Sequence, residues 1–212
     1  MIKTVHTLAP ETQVATEIDQ ERHRVGIIGG TFNPPHLGHL VIAEQVASNL
    51  DLEQVYFMPN AQPPHVDFKD AIDALDRVEM VRAAIYGNRH FALELAEVNR
   101  GGVSYSYDTM RYLTELHPNY DYYFIIGGDE VAYLKTWYKI GALSQMVQFV
   151  GVNRPGQETP KTDYPVQFVN VSNLDISSTK IRERIQKQQS VRYLLPDLVA
   201  AYIVEKGLYQ DE

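Results

Sequence analysis

Gly29-Gly30-Thr31-Phe32-Asn33-Pro34-Pro35-His36-Leu37-Gly38-His39 follows directly on the apolar run Val25-Gly26-Ile27-Ile28. That run is β-branched and bounded by glycine, the pattern of a buried parallel strand. The two glycines let backbone approach a ligand closely, the two prolines stiffen the loop, and from Leu37 the apolar spacing turns helical. Both histidines therefore fall at the first turn of a helix, three residues apart and pointing the same way. A strand that ends in a glycine turn at a helix start is an anion site, because unpaired N–H groups and the positive end of the helix dipole face outward. A His-x-x-His pair could also serve zinc, but zinc needs further ligands, and the chain has no cysteine and no His-Glu-x-x-His. The glycines match neither Gly-x-Gly-x-x-Gly nor Gly-x-x-x-x-Gly-Lys-Ser/Thr, so neither standard phosphate loop explains them.

Outward from this stretch, strands alternate with helices. Leu37, Leu40, Val41, Val46, Ala47 and Leu50 trace one apolar helix face. Gln54 to Met58 reads as a second strand, and the prolines after it either simply end that strand or also hold Asn60 and His65 stiffly beside the first histidine loop. Asp73 to Tyr86 reads as a helix with Leu75, Val78, Val81 and Ile85 on its apolar stripe, and His90 to Val98 as extended chain. Ser104 to Thr109 enters a helix that ends near His117-Pro118. Tyr122 to Ile126 is the most strand-like run, closed by Gly127-Gly128-Asp129. Those glycines either mark where a ligand approaches a central strand or form a plain turn with Asp129 as N-cap. Trp137, the only tryptophan, is on its own terms core filler. Val147 to Val152 and Val166 to Val171 are further strands. Ser177-Ser178-Thr179 then opens a helix; its hydroxyls are either an N-cap or, with Arg182 one turn in, a clasp on phosphate oxygens. A last helix runs from Pro196 to Lys206-Gly207.

This alternation predicts an α/β fold with a doubly wound parallel sheet and a site along its C-terminal edge. Residues 1–23 form a polar extension expected to be mobile, in which Pro10-Glu11 could open a short helix to Gln20; residues 24–212 form one domain. The 212-residue length and 44% hydrophobic content suit a single soluble domain. No stretch approaches the ~20 apolar residues of a membrane helix, and the N-terminus lacks a signal-peptide layout. Absent cysteine agrees with a cytoplasmic setting. A net charge of -8 argues against nucleic acid as partner, while leaving room for a small polyphosphate held by local donors. A homo-oligomer stays open.

Gly30-Thr31-Phe32-Asn33-Pro34-Pro35-His36-Leu37-Gly38-His39 resembles the Gly-x-Phe-x-Pro-x-His-x-Gly-His signature of nucleotidyltransferases, and Ile176-Ser177-Ser178-Thr179-Lys180-Ile181-Arg182 resembles their Ile-Ser-Ser-Thr-x-Ile-Arg signature. From residue 24 on, the chain resembles the bacterial nicotinate-nucleotide adenylyltransferases, with a Rossmann-like fold. The resemblance implies adenylyl transfer from ATP to nicotinate mononucleotide, with His36 and His39 at the ATP phosphates. It assigns Gly29, Gly30, Thr31 and Phe32 to nucleotide binding through backbone, Gly127 and Asp129 to the adenosine portion, and Ser177, Ser178, Thr179 and Arg182 to the pyrophosphate end. Ser106, Trp137 and Tyr138 would receive the nicotinate ring and carboxylate. Mg²⁺ would come with the ATP, bridging phosphates without a dedicated protein cage.

The chain departs from the pattern in places. Asn33 stands where many relatives carry Asp, retaining a capping acceptor, and Ser106 stands where Thr is common. Val66 replaces a Lys or Arg, so the acceptor phosphate needs another cation, for which His65, Lys69 and Arg154 are candidates. Rival readings are transfer to pantetheine phosphate or to nicotinamide mononucleotide, cytidylyl transfer, and a nucleotide-sensing protein without turnover. 

Overall fold

A computed structural model describes residues 21–63, 71–153, 159–172 and 174–210. Its centre is a parallel sheet in the order β3-β2-β1-β4-β5-β6, formed by β1 (His23–Gly30), β2 (Gln54–Pro59), β3 (Phe91–Leu93), β4 (Tyr120–Gly127), β5 (Val147–Asn153) and β6 (Val166–Asn170). The strand order reverses between β1 and β4, which pair in register from His23↔Tyr120 to Ile28↔Ile125. A crevice opens at the carboxyl ends of strands where the order reverses, because successive connections leave in opposite directions there.

The helices are α1 (Leu37–Leu50), α2 (Ala74–Ile85), α3 (Ala96–Arg100), α4 (Ser106–Leu116), α5 (Gly128–Val131), α6 (Ile140–Leu143), α7 (Ser178–Gln186) and α8 (Asp197–Lys206). The period-2 alternation of each strand divides the core into two layers. Ile28, Val55, Phe57, Ile125 and Val150 face Ala43, Val46 and Leu50 of α1, while Val25, Ile27, Phe124, Ile126 and Phe149 face Met110 and Leu113 of α4 with Leu134, Ile140 and Leu143. Each such side chain contributes about 1.5–3 kcal/mol when buried, before the entropy cost of ordering it. A third cluster joins Met80 and Ala84 of α2 to Ile181 of α7 and Val199 and Ile203 of α8, and it seats α7 over the histidine loop.

Most expected elements occur within a residue or two, and three readings need correction. His90 to Val98 is not one extended run: β3 stops at Leu93, and the Glu94 carboxylate accepts the Ala96 N–H at 2.7 Å, turning the chain into α3. Leu75, placed by its spacing on the buried stripe of α2, is exposed, and Arg77 and Met80 are buried on that helix. His23 already pairs in β1, so the sheet begins one residue before the expected domain start. The expected helix within residues 1–23 lies outside the described residues, as do His65, Lys69 and Arg154. No helix among the described residues is long and apolar enough to cross a membrane.

Gly26 shows how tightly the first layer is filled. A Cβ there would stand 3.1 Å from Leu52 and Val55 side chains and 3.2 Å from Ile125. Gly26→Val is therefore expected to cost about 1–3 kcal/mol by overpacking, read as a lower midpoint in urea denaturation. An unchanged midpoint would show the layer to be loose.

Candidate active site

The first histidine is the N-cap of α1, and the second is the third residue of that helix, where one of the helix's unpaired N–H groups needs a partner. The His36 backbone N–H donates to Nδ1 of His39 at 3.1 Å. An amide can only donate, so Nδ1 of His39 is an acceptor and its proton resides on Nε2. His36 stacks on His39 with ring centroids 3.7 Å apart, and Phe32 meets His39 edge-on at 5.1 Å. Gly38 makes this possible, because a Cβ there would stand 2.9 Å from His36 Nδ1 and 3.0 Å from its Cε1. That Nδ1 is buried and has no hydrogen-bond partner among the described residues.

Both rings are neutral. Burial pushes the His36 imidazole down to about 4. Burial first, then repulsion from His36, holds His39 well below its usual range, against a backbone hydrogen bond that raises it. A stacked pair in a poorly solvated loop cannot carry two charges at this spacing.

The second motif holds the first in place. Ser178 Oγ donates to the Pro34 carbonyl at 2.8 Å, and Arg182 Nη1 donates to the Asn33 carbonyl at 2.8 Å. Tyr209 Oη donates to Asn33 Oδ1 at 2.7 Å. Asn33, expected to retain the capping acceptor of the family's Asp, does not cap α1; its side chain is tied to the C-terminal segment, and His36 takes the cap position. Ser177 caps α7, accepting the Lys180 N–H at 3.2 Å. Phe32 adopts a left-handed φ of 50°, a strained conformation compensated by its burial against Phe57.

Gly29, Gly30, His36, His39, Gly127, Ser177, Ser178, Ser106, Trp137 and Tyr138 all line one cavity of about 540 Å³ at the carboxyl edge of β1 and β4. Ser106 is the first residue of α4, so its N–H belongs to the unpaired set at that helix start. Trp137 follows the 3-10 turn Leu134–Thr136 and packs edge-on against Phe124 and Phe149, so it is at once core and cavity wall. Tyr138 packs against Tyr105 at 4.8 Å. Thr31, Phe32, Asp129, Thr179 and Arg182 do not line the cavity. Asp129 lies within α5, whose N-cap is Gly127, which corrects its reading as the cap. A Cβ on Gly127 would come within 2.6 Å of the Asp129 carboxylate, so glycine is required for that carboxylate to fold back. Among the described residues no three His, Asp or Glu side chains gather as a metal site.

Comparison with known proteins agrees with this geometry. A cytidylyltransferase-like family model matches residues 27–184. A Lactiplantibacillus plantarum protein named "probable nicotinate-nucleotide adenylyltransferase" is 53% identical over 209 residues, spanning 99% of each chain. The chain belongs to the nicotinate-nucleotide adenylyltransferases. An Enterococcus faecalis member with the same name is 51% identical over 91% of this chain and 88% of its own. The likeness to the first relative takes in nearly all of the segment before β1, beyond the motif-bearing part of the chain. Among solved structures, the Plasmodium falciparum nicotinic acid mononucleotide adenylyltransferase complexed with NaAD shares the fold, with a TM-score of 0.75 at 19% identity over 90% of this chain and 99% of its own.

The neutral histidines give the family's loop a pH signature. Below about pH 6.5 the unfolded chain protonates His36, whereas the folded chain resists until about 4. The unfolded state thus binds more protons in that window, and stability falls as pH drops through it, by about 3 kcal/mol from His36 alone. In His36→Asn the pH dependence of urea stability between 6.5 and 4 should flatten by up to one proton. An unchanged slope would mean that His36 is not buried neutral.

Proposed function

We infer that this enzyme joins the adenylyl group of ATP to nicotinate mononucleotide, giving nicotinate adenine dinucleotide and pyrophosphate on the route to NAD. The observation that carries the reading is the hydrogen bond from the His36 N–H to His39 Nδ1, which turns His39 into a fixed neutral Nε2–H donor in the cavity wall.

A phosphate oxygen of nicotinate mononucleotide attacks the α-phosphorus of ATP in line. The new P–O bond forms as the bond from the α-phosphorus to the bridging oxygen of the β-phosphate breaks, and pyrophosphate leaves with that oxygen. The nucleophile is already an anion, so no general base is needed. The barrier is the repulsion between two anions and the charge gathering on the transferring and leaving oxygens. His39 Nε2–H and the N–H groups opening α7 meet that charge, with His36 stacked on the donor ring. Ser178 acts through its backbone N–H, since its hydroxyl is given to Pro34. Arg182, outside the cavity lining, serves by holding the loop through Nη1. Gly29 and Gly30 bring backbone close to the nucleotide, Thr31 and Phe32 shape the turn beneath it, and Thr179 supports the start of α7. Gly127, with Asp129 folded over it, faces the adenosine portion. Magnesium would come with the substrate as Mg·ATP and would offset phosphate charge.

At the acceptor end the backbone N–H groups of Ser106 and Tyr138 meet the nicotinate carboxylate, and Trp137 stacks on the pyridine ring. His65 or Arg154 supplies the cation for the acceptor phosphate. A setting in the cytoplasm, where both substrates are at hand, fits this chemistry.

Pyrophosphate release with Mg·ATP, compared across nicotinate mononucleotide, nicotinamide mononucleotide and phosphopantetheine, tests the reading. The acid should be favoured over the amide by about 10- to 100-fold in kcat/KM, the worth of one charge-assisted hydrogen bond. Preference for another acceptor would discard the assignment of Ser106, Trp137 and Tyr138. ATP binding without release would leave a nucleotide-sensing protein.

A further inference from the structure

Arg77 is 0% exposed, and no carboxylate ion-pairs with it among the described residues. Its guanidinium is spent on the chain. Nη1 donates to the Thr31 carbonyl at 2.8 Å and to Asn60 Oδ1 at 3.4 Å, Nη2 to the Ala61 carbonyl at 3.2 Å, and Nε to the Ile72 carbonyl at 3.2 Å. The other end of Ala61 is also held, because its N–H donates to Ser104 Oγ at 3.0 Å. Ser104 in turn hydrogen-bonds the buried carboxylate of Glu97, which accepts from Thr109 Oγ1 at 2.9 Å, and Arg100 Nη2 donates to Thr109 at 2.9 Å. Thr109 lies in the first turn of α4, the helix that Ser106 opens.

The buried charged side chains outside the histidine loop thus belong to one line of hydrogen bonds. It starts under the phosphate loop at Thr31, crosses the chain after β2 and ends beneath the acceptor wall. Burying an arginine with no ion-pair partner, the Asp73 carboxylate acting on it only from farther away, is expensive, and an apolar side chain would fill the space at lower cost. What the arginine adds is geometry, since its rigid fork serves carbonyls from separate segments at once.

We propose that Arg77 and Ser104 are positioning residues that grip the Ala61 backbone on both sides, by its carbonyl and its N–H, and so set the distance between the ATP phosphate loop and the acceptor pocket. The proposal rests on the transfer reaction inferred above. In-line attack is steeply sensitive to alignment, a misplacement of about 1 Å costing on the order of 10² in rate. Loosening the grip should therefore lower kcat while leaving ATP binding intact. Both substitutions free the backbone of the same residue, so their effects should overlap instead of compounding.

The test compares Arg77→Lys, Ser104→Ala and the double variant, each checked for cooperative unfolding and for affinity toward a non-hydrolysable ATP analogue. Turnover is measured with whichever acceptor the wild type uses, so a wrong acceptor assignment does not masquerade as failure of the grip. Each single variant should lose about 10- to 100-fold in kcat with analogue affinity within about threefold of wild type. The double variant should lose little more than the worse single one. Wild-type kcat in a folded variant, or losses that multiply in the double variant, would overturn the proposal. Should Arg77→Lys fail to fold, the kcat of Ser104→Ala decides alone.

Discussion

The His36 N–H bound to His39 Nδ1 is the contact on which the site depends. A helix start leaves N–H groups without partners, and the usual remedy is a Ser, Thr, Asp or Asn oxygen. Here an imidazole nitrogen at the third helix position accepts the N–H of the cap residue itself, the part a Glu or Gln oxygen plays in a capping box, and three consequences follow. The tautomer is fixed, so the opposite edge of His39 is a donor. The ring is pinned beneath His36, which needs Gly38 to have no side chain. Stacking and burial together keep both rings uncharged. A neutral donor on His39 suits a reaction between anions, because it stabilises charge without the proton exchange of a free histidine near neutral pH.

That contact is only as fixed as the loop before it. Asn33 and Pro34 are held through carbonyls and a side-chain amide by Ser178, Arg182 and Tyr209, residues far along the chain. Leu37 adds a backbone bond to Leu194 at 3.0 Å. Those partners sit on α7 and the C-terminal segment, which are seated by the cluster around Met80, Ile181 and Val199. The two sequence signatures are therefore a single structural unit: the second positions the first, in addition to whatever it offers a ligand. The parallel sheet brings them together, because both lie at the carboxyl ends of its strands, the first after β1 and the second after the edge strand β6.

The parallel sheet was legible because strands buried on both faces read as continuous apolar runs, and Val25 to Ile28, Tyr122 to Ile126 and Val147 to Val152 all fell on strands. The long helices announced themselves by stripe, cap and stop, down to Gly207 in the left-handed conformation after α8. The gathering of His36, His39, Ser177, Ser178, Ser106, Trp137 and Tyr138 around one cavity followed once those elements were placed. What stayed hidden was polar and tertiary. Arg77 looks like one more surface charge on an amphipathic helix, and only the carbonyls of Thr31 and Ala61 explain its burial. Tyr209 carries no local signal for its bond to Asn33. Short α3, α5 and α6 are too brief for periodicity to reveal, and Leu75 lies on the right stripe of α2 but where nothing packs over it closely enough to bury it.

The stereochemical course at phosphorus tests the central claim, that His39 is a neutral donor to a direct transfer, more directly than any rate. A single diastereomer of ATP carrying sulfur on the α-phosphate would be turned over with nicotinate mononucleotide, and the configuration of the dinucleotide product read by phosphorus NMR. One in-line displacement inverts the centre, and inversion is the expected result. Retention would require two displacements through an adenylylated enzyme and would contradict the direct transfer in which His39 only donates.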